Sequence, residues 1–89
     1  MRLRVQLFAR AKDLVGATSV TLELPEGATV AQVRRRLAEE RPALAALLER
    51  SVLAVDNEFA DDNTIVPTGA EIALLPPVSG GAPTSEVGV

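Results

Sequence analysis

Thr29-Val30-Ala31-Gln32-Val33-Arg34-Arg35-Arg36-Leu37 reads as the opening of a helix, and its position decides how the rest of the chain is arranged. Thr29 and Gln32 stand at capping-box spacing, where a hydroxyl and an amide satisfy backbone N–H groups that a first helical turn leaves without partners. Val30, Val33 and Leu37 recur at helical spacing and make one apolar stripe. Arg34, Arg35, Glu39 and Glu40 fall mostly elsewhere, so the triple-arginine run reads as a solvated helix face. Pro42 disfavours helical geometry at Arg41, which puts the end of the helix there. Beyond it, Ala43 to Leu48 suits one short further helical turn, with Leu44, Leu47 and Leu48 in the core.

Both flanks of this helix read as strands. On the N-terminal side, Arg2 to Leu7 alternates polar and apolar, with Leu3, Val5 and Leu7 on the core face and Phe8 on the other. Ala11 to Val15 suits a short helix that Gly16 can end in the left-handed conformation. Val20, Leu22 and Leu24 repeat the alternation, giving a second strand able to pair with the first as a wide hairpin before Pro25-Glu26-Gly27 stops it. On the C-terminal side, Val52 to Val55 is a third strand closed by Asp56-Asn57, residue types that tolerate turn geometry. A short strand near Phe59 and a last one over Ile72 to Leu75 complete the order, with Pro67-Thr68-Gly69 turning between them. Strands divided by one long helix predict a sheet covered on one face. The expected fold is an α+β roll of the β-grasp type, a mixed sheet of four or five strands under one main helix. Other small α+β folds accommodate the same order.

Composition narrows the chemistry. A chain of 89 residues has room for one domain, and its 47% hydrophobic content suffices for a core built from Val, Leu, Ile and Ala. It has no cysteine and no histidine, which excludes disulfides, thiolate metal sites, thiol nucleophiles and His-centred triads. A net charge of −3 argues against nucleic acid as a partner, since counterion release needs surplus Lys and Arg. No apolar run approaches a membrane span, and no signal-peptide core follows Arg2 and Arg4, so the expected location is the cytoplasm. Glu58, Asp61 and Asp62 cluster without the spacing of a calcium loop and read as a solvated turn, leaving no metal site in the expectation.

Leu74-Leu75-Pro76-Pro77-Val78-Ser79-Gly80-Gly81 resembles the C-terminal signature of the MoaD family, the small subunits of molybdopterin synthase. Val5-Gln6-Leu7-Phe8-Ala9-Arg10-Ala11-Lys12-Asp13-Leu14-Val15-Gly16, Ala54-Val55-Asp56-Asn57 and Gly69-Ala70-Glu71-Ile72-Ala73 are similar to that family too. The resemblance spans Met1 to Gly81 and implies a ubiquitin-like sulfur carrier, a subunit that donates sulfur within a sulfurtransferase complex without supplying catalytic side chains. In such proteins an ATP-dependent adenylating enzyme activates the terminal glycine carboxylate, which becomes a thiocarboxylate. The tail then enters the large subunit and gives its sulfur to a pterin precursor of the molybdenum cofactor. Carried onto this chain, Gly81 is the thiocarboxylate position and Pro76, Pro77, Val78, Ser79 and Gly80 contact the partner. No cofactor is expected to be bound, ATP being used by the activating partner.

The residue types suit that task. Gly80 and Gly81 lack a Cβ and can thread a narrow channel, whereas Pro76 and Pro77 restrict φ and stiffen the stalk behind them. Val78 adds an apolar foothold. If Ile72 and Leu74 point into the core, Ala73 and Leu75 point outward, and Leu75 can share an exposed apolar patch with Phe8, unless Phe8 caps the core edge.

One feature departs from the family pattern: Ala82-Pro83-Thr84-Ser85-Glu86-Val87-Gly88-Val89 follows the second glycine. Residues 1–81 are then a carrier domain with a flexible Gly-Gly stalk, and 82–89 an extension expected to be disordered. A carbonyl held in a peptide bond cannot be adenylated, so sulfur carriage requires a peptidase to expose Gly81. A fusion to a further domain, or loss of carriage with retention of the fold as a binding module, are the other routes. Sulfur supply to thiamine or cysteine synthesis, and attachment to lysines as a protein modifier, remain alternative functions.

Overall fold

The computed structural model describes residues 1–75; the expectations for Pro76 to Gly81 and for 82–89 lie outside the described residues. The chain runs β1 (Arg2–Leu7), α1 (Ala9–Val15), β2 (Ser19–Glu23), α2 (Val30–Glu40), a 3-10 turn (Pro42–Leu44), α3 (Ala45–Leu48), β3 (Val52–Val55), β4 (Glu58–Ala60) and β5 (Glu71–Leu75). The five strands form one mixed sheet in the order β2-β1-β5-β3-β4. β1 is antiparallel to β2 and parallel to β5, and β3 is antiparallel to both β5 and β4. This is the expected β-grasp roll, with all five strands present.

Register explains which residues are buried. Leu3 faces Leu22, Val5 faces Val20 and Ile72, and Leu74 lies between Leu7 and Leu53. Because side chains alternate along a strand, these positions share the inner face of the sheet. α2 lays Val30, Val33 and Leu37 over that face, each at most 1% exposed. Leu44, Leu47 and Leu48 from the turn and α3 complete the core. Burying a leucine of this kind stabilises the fold by about 1.5–3 kcal/mol.

The helix begins as its sequence predicts, and its first amides are all accounted for. Gln32 N–H donates to Thr29 Oγ1 at 3.3 Å, and Thr29 N–H donates to Gln32 Oε1 at 2.8 Å. Val30 N–H donates to the carbonyl of Thr64 at 2.9 Å and Ala31 N–H to that of Asp62 at 3.1 Å. A helix start left without such partners would strand its first donors. The loop before β5 is therefore stitched to the helix, and Val66 N–H closes the seam on the carbonyl of Ala28 at 2.8 Å.

Arg34 departs from the solvated role expected of the arginine run. Its guanidinium donates to the carbonyls of Leu48 and of Ser51, the latter at 3.0 Å, and pairs with Asp62 Oδ1 at 3.3 Å. One side chain thus ties α2 to the end of α3, the entry to β3 and the loop before β5. Arg35 stays exposed. Arg36 pairs along the helix with Glu39 and Glu40. Asp61 and Asp62 are engaged in the same way: Asp61 Oδ1 accepts from Asn63 N–H at 3.0 Å and from Thr64 Oγ1 at 3.1 Å.

Arg34→Ala removes the donors to two backbone carbonyls and is expected to cost about 1–3 kcal/mol in urea denaturation. Arg35→Ala on the neighbouring exposed position should cost less than about 0.5 kcal/mol. Equal losses for the two would contradict the bridging role of Arg34.

Candidate functional site

The positions that alternate with the core make the outer face of the sheet, which no helix of the described residues covers. Across its middle run Phe59, Ala54, Ala73 and Gln6, brought side by side by the pairings of β4, β3, β5 and β1. At one end, Val52 pairs with Leu75, and the parallel register of β1 with β5 ends at Leu7 and Leu74, the residues that directly precede Phe8 and Leu75 in the chain. Phe8 is 43% exposed and Phe59 is 79% exposed. Leu75, Ala73 and Val52 are half-buried. Phe8 is exposed and is not part of the buried core cluster. The chain reverses directly after it, at Ala9 with φ +49°, so α1 starts two residues earlier than its composition suggested.

Phe59 belongs to this face and was not among the expected partner contacts. The signal lay in the two-residue turn at Asp56-Asn57. Both residues have positive φ, 50° and 71°, the geometry of a tight hairpin that matches strand twist. Such a turn pairs Val55 with Glu58 and so fixes Phe59 opposite Ala54, on the outer side. The pair Ala54 and Ala73 makes the centre of the face shallow, and Phe8 and Phe59 stand on either side of it.

β5 supplies the other half of the site. It is held between β1 and β3, with Leu74 paired on both sides, to Leu7 and Leu53, and Leu75 paired to Val52 of β3. Its start is fixed by Asp56, whose Oδ1 accepts from Glu71 N–H at 3.0 Å and whose N–H donates to the Glu71 carbonyl at 2.9 Å. Just before, Ala70 N–H closes a turn on Pro67 at 3.1 Å with Gly69 at φ +82°, a region that favours glycine. The remaining expected site residues, Pro76, Pro77, Val78, Ser79, Gly80 and Gly81, follow directly in the chain and lie outside the described residues.

None of the described residues forms a cluster of three His, Cys, Asp or Glu placed to hold a metal ion. The hydrogen bond from Arg2 Nε at 2.7 Å and the charge of that guanidinium hold the Glu23 carboxyl below the usual range, at an exposed position on β2. What the arrangement can do is dock on another protein and present the segment that follows Leu75.

Comparison with known proteins agrees with this architecture. The model of the ThiS family matches residues 5–81. A molybdopterin synthase sulfur carrier subunit of Arabidopsis thaliana is 37% identical over 81 residues, which take in 91% of this chain and 84% of that one. Among solved structures, the small archaeal modifier protein 1 of H. volcanii superposes with a TM-score of 0.78 at 26% identity, covering 86% of this chain and 98% of that one. A complex of subunits 1 and 2 of the molybdopterin-converting factor from Helicobacter pylori contains a chain of the same fold, with a TM-score of 0.65 at 24% identity, covering 91% of this chain and all of that one.

The exposure of Phe59 makes a direct prediction. Phe59→Ser should leave the unfolding free energy from urea denaturation within about 0.5 kcal/mol of the parent, since the ring buries little. Leu53→Ala, on the inner face of the adjacent strand, should cost about 2–5 kcal/mol. A loss at Phe59 as large as that at Leu53 would show that its ring packs into the core.

Proposed function

The chain belongs to the ThiS family, and we propose that it is the sulfur carrier of molybdopterin synthase, donating sulfur from a thiocarboxylate at Gly81. The observation that carries the proposal is the placement of β5. The central strand of the sheet ends at Leu75, on the face of the sheet that no helix of the described residues covers, six residues before Gly81. A large subunit that docks on this face receives the following segment at a fixed origin. The family match running through Gly81 supports the same end point, as do the sulfur carrier subunits among the relatives. The Helicobacter pylori complex of subunits 1 and 2 supports a large-subunit partner.

The chemistry follows from the bonds at Gly81. Hydrolysis of the Gly81–Ala82 peptide by a peptidase frees the glycine carboxylate. An adenylating enzyme joins that carboxylate to AMP from ATP, with pyrophosphate leaving, and a sulfur donor then displaces AMP to leave the thiocarboxylate. The carrier supplies no acid, base or nucleophilic side chain to these steps. Its own contributions are the rigid origin at Leu75, the apolar docking face, and two glycines whose lack of a Cβ leaves the acyl carbon open. No bound cofactor is needed, and the components are those of cytoplasmic chemistry.

A second reading is favoured by the likeness to an archaeal modifier protein: attachment of Gly81 to lysines of other proteins. Isopeptide adducts in denaturing gels of native cells would distinguish it.

Reconstitution tests the proposal. A chain ending at Gly81 should support ATP–pyrophosphate exchange with the adenylating enzyme and, once thiocarboxylated, transfer sulfur with the large subunit; the chain of 89 residues should do neither. Leu75→Glu should weaken binding to the large subunit by about tenfold or more, because it sets a charge in the apolar contact. Equal exchange by the two chain lengths, or unchanged affinity in Leu75→Glu, would overturn the corresponding step.

A further inference from the structure

Next to Phe8, at the corner between β1 and α1, lies a hollow of about 320 Å³ lined by Arg4, Gln6, Leu7, Phe8, Lys12 and Thr18. Leu7 N–H donates to the Thr18 carbonyl at 2.8 Å, which holds the far wall against β1. The lining contains two cations and no carboxylate, on a chain whose net charge is −3. Three other arginines pair with acids: Arg2 with Glu23, Arg34 with Asp62, and Arg36 with Glu39 and Glu40, whereas Arg10, Arg35, Arg41 and Arg50 do not among the described residues. Arg4 and Lys12 make no such pair among the described residues, although Glu71 stands in register with Arg4 on the next strand. The hollow therefore combines exposed positive charge with an aromatic wall, and its Phe8 and Gln6 also belong to the outer face of the sheet.

We propose that this hollow receives an acidic segment of the protein that docks on the outer face, with a carboxylate between Arg4 and Lys12 and a neighbouring apolar side chain against Phe8. The proposal rests on the docking role given to that face above. Both cations are exposed, so a free anion would meet only solvated point charges, and exposed ion pairs contribute little. A protein segment adds apolar contact with Phe8 and excludes water from the pair. Charges at such a rim act mainly on the association rate and its salt dependence.

Two measurements test this. Calorimetry with the large subunit should show Arg4→Glu/Lys12→Glu binding about tenfold more weakly than the parent at low salt, with a flatter salt dependence. Lys12→Ala should show part of the loss, and Arg35→Glu on α2 should show none. Parental affinity and salt dependence in the double variant would overturn the proposal. Separately, a short peptide of alternating glutamate and leucine, titrated into the isotope-labelled protein, should shift the amides of Gln6, Phe8, Lys12 and Thr18. The double variant should not respond. Equal shifts with inorganic phosphate would replace the acidic segment by a simple anion, and no shift with either would refute the hollow as a binding site. If the large subunit fails to bind the chain ending at Gly81, the sulfur-carrier reading falls, and the peptide titration still decides the hollow.

Discussion

The parallel pairing of β1 with β5 places the last described strand in the middle of the sheet, and the rest of the molecule is arranged around that placement. Parallel neighbours cannot be joined by a tight turn, so the chain between them must make a long crossover. Here the crossover contains β2, α2, α3 and the hairpin of β3 and β4. α2 covers the inner face, where Val5, Leu7, Ile72 and Leu74 form the centre of the core. β3 then closes on the other side of β5, so Leu74 is held by two neighbours and Leu75 by Val52. A segment starting there leaves from a position that the whole core keeps in place.

Covering one face leaves the other free for a partner. The outer face is furnished with alanines at its centre, Ala54 and Ala73, and with Phe8 and Phe59 to either side. Half-exposed aromatic rings cost solubility and add little to folding, which is why such patches mark places where proteins meet. Charge is kept at the margins, with Arg4 and Lys12 near Phe8 and Glu71 and Asp56 near the start of β5. The core and the exposed apolar surface thus lie on opposite faces of the same strands, a division that the two-residue period of a strand makes possible.

Much of this is legible in the sequence because local signals and the global fold agree. The alternation at Leu3, Val5 and Leu7, the cap at Thr29 and Gln32, and the stripe at Val30, Val33 and Leu37 each describe a feature that forms as read. The orientation of Leu75 followed from alternation as well. Arg34 was misread because its partners, the carbonyls of Leu48 and Ser51, come near it only once α3 has packed beneath α2. Phe59 was overlooked for a related reason: its face is set by pairing with Ala54, and a three-residue strand carries too little alternation to reveal it. The glycine tip is different again, being legible only through its resemblance to known carriers.

Gly81 is the point on which the proposed chemistry turns, and the state of its carboxyl group in the cell can be weighed. The intact mass of the protein isolated from its native cells is the most direct measurement. Sulfur carriage predicts a species ending at Gly81, accompanied by one heavier by the exchange of a single oxygen for sulfur. Finding only the chain that runs through Val89, in cells whose molybdenum enzymes are active, would contradict it.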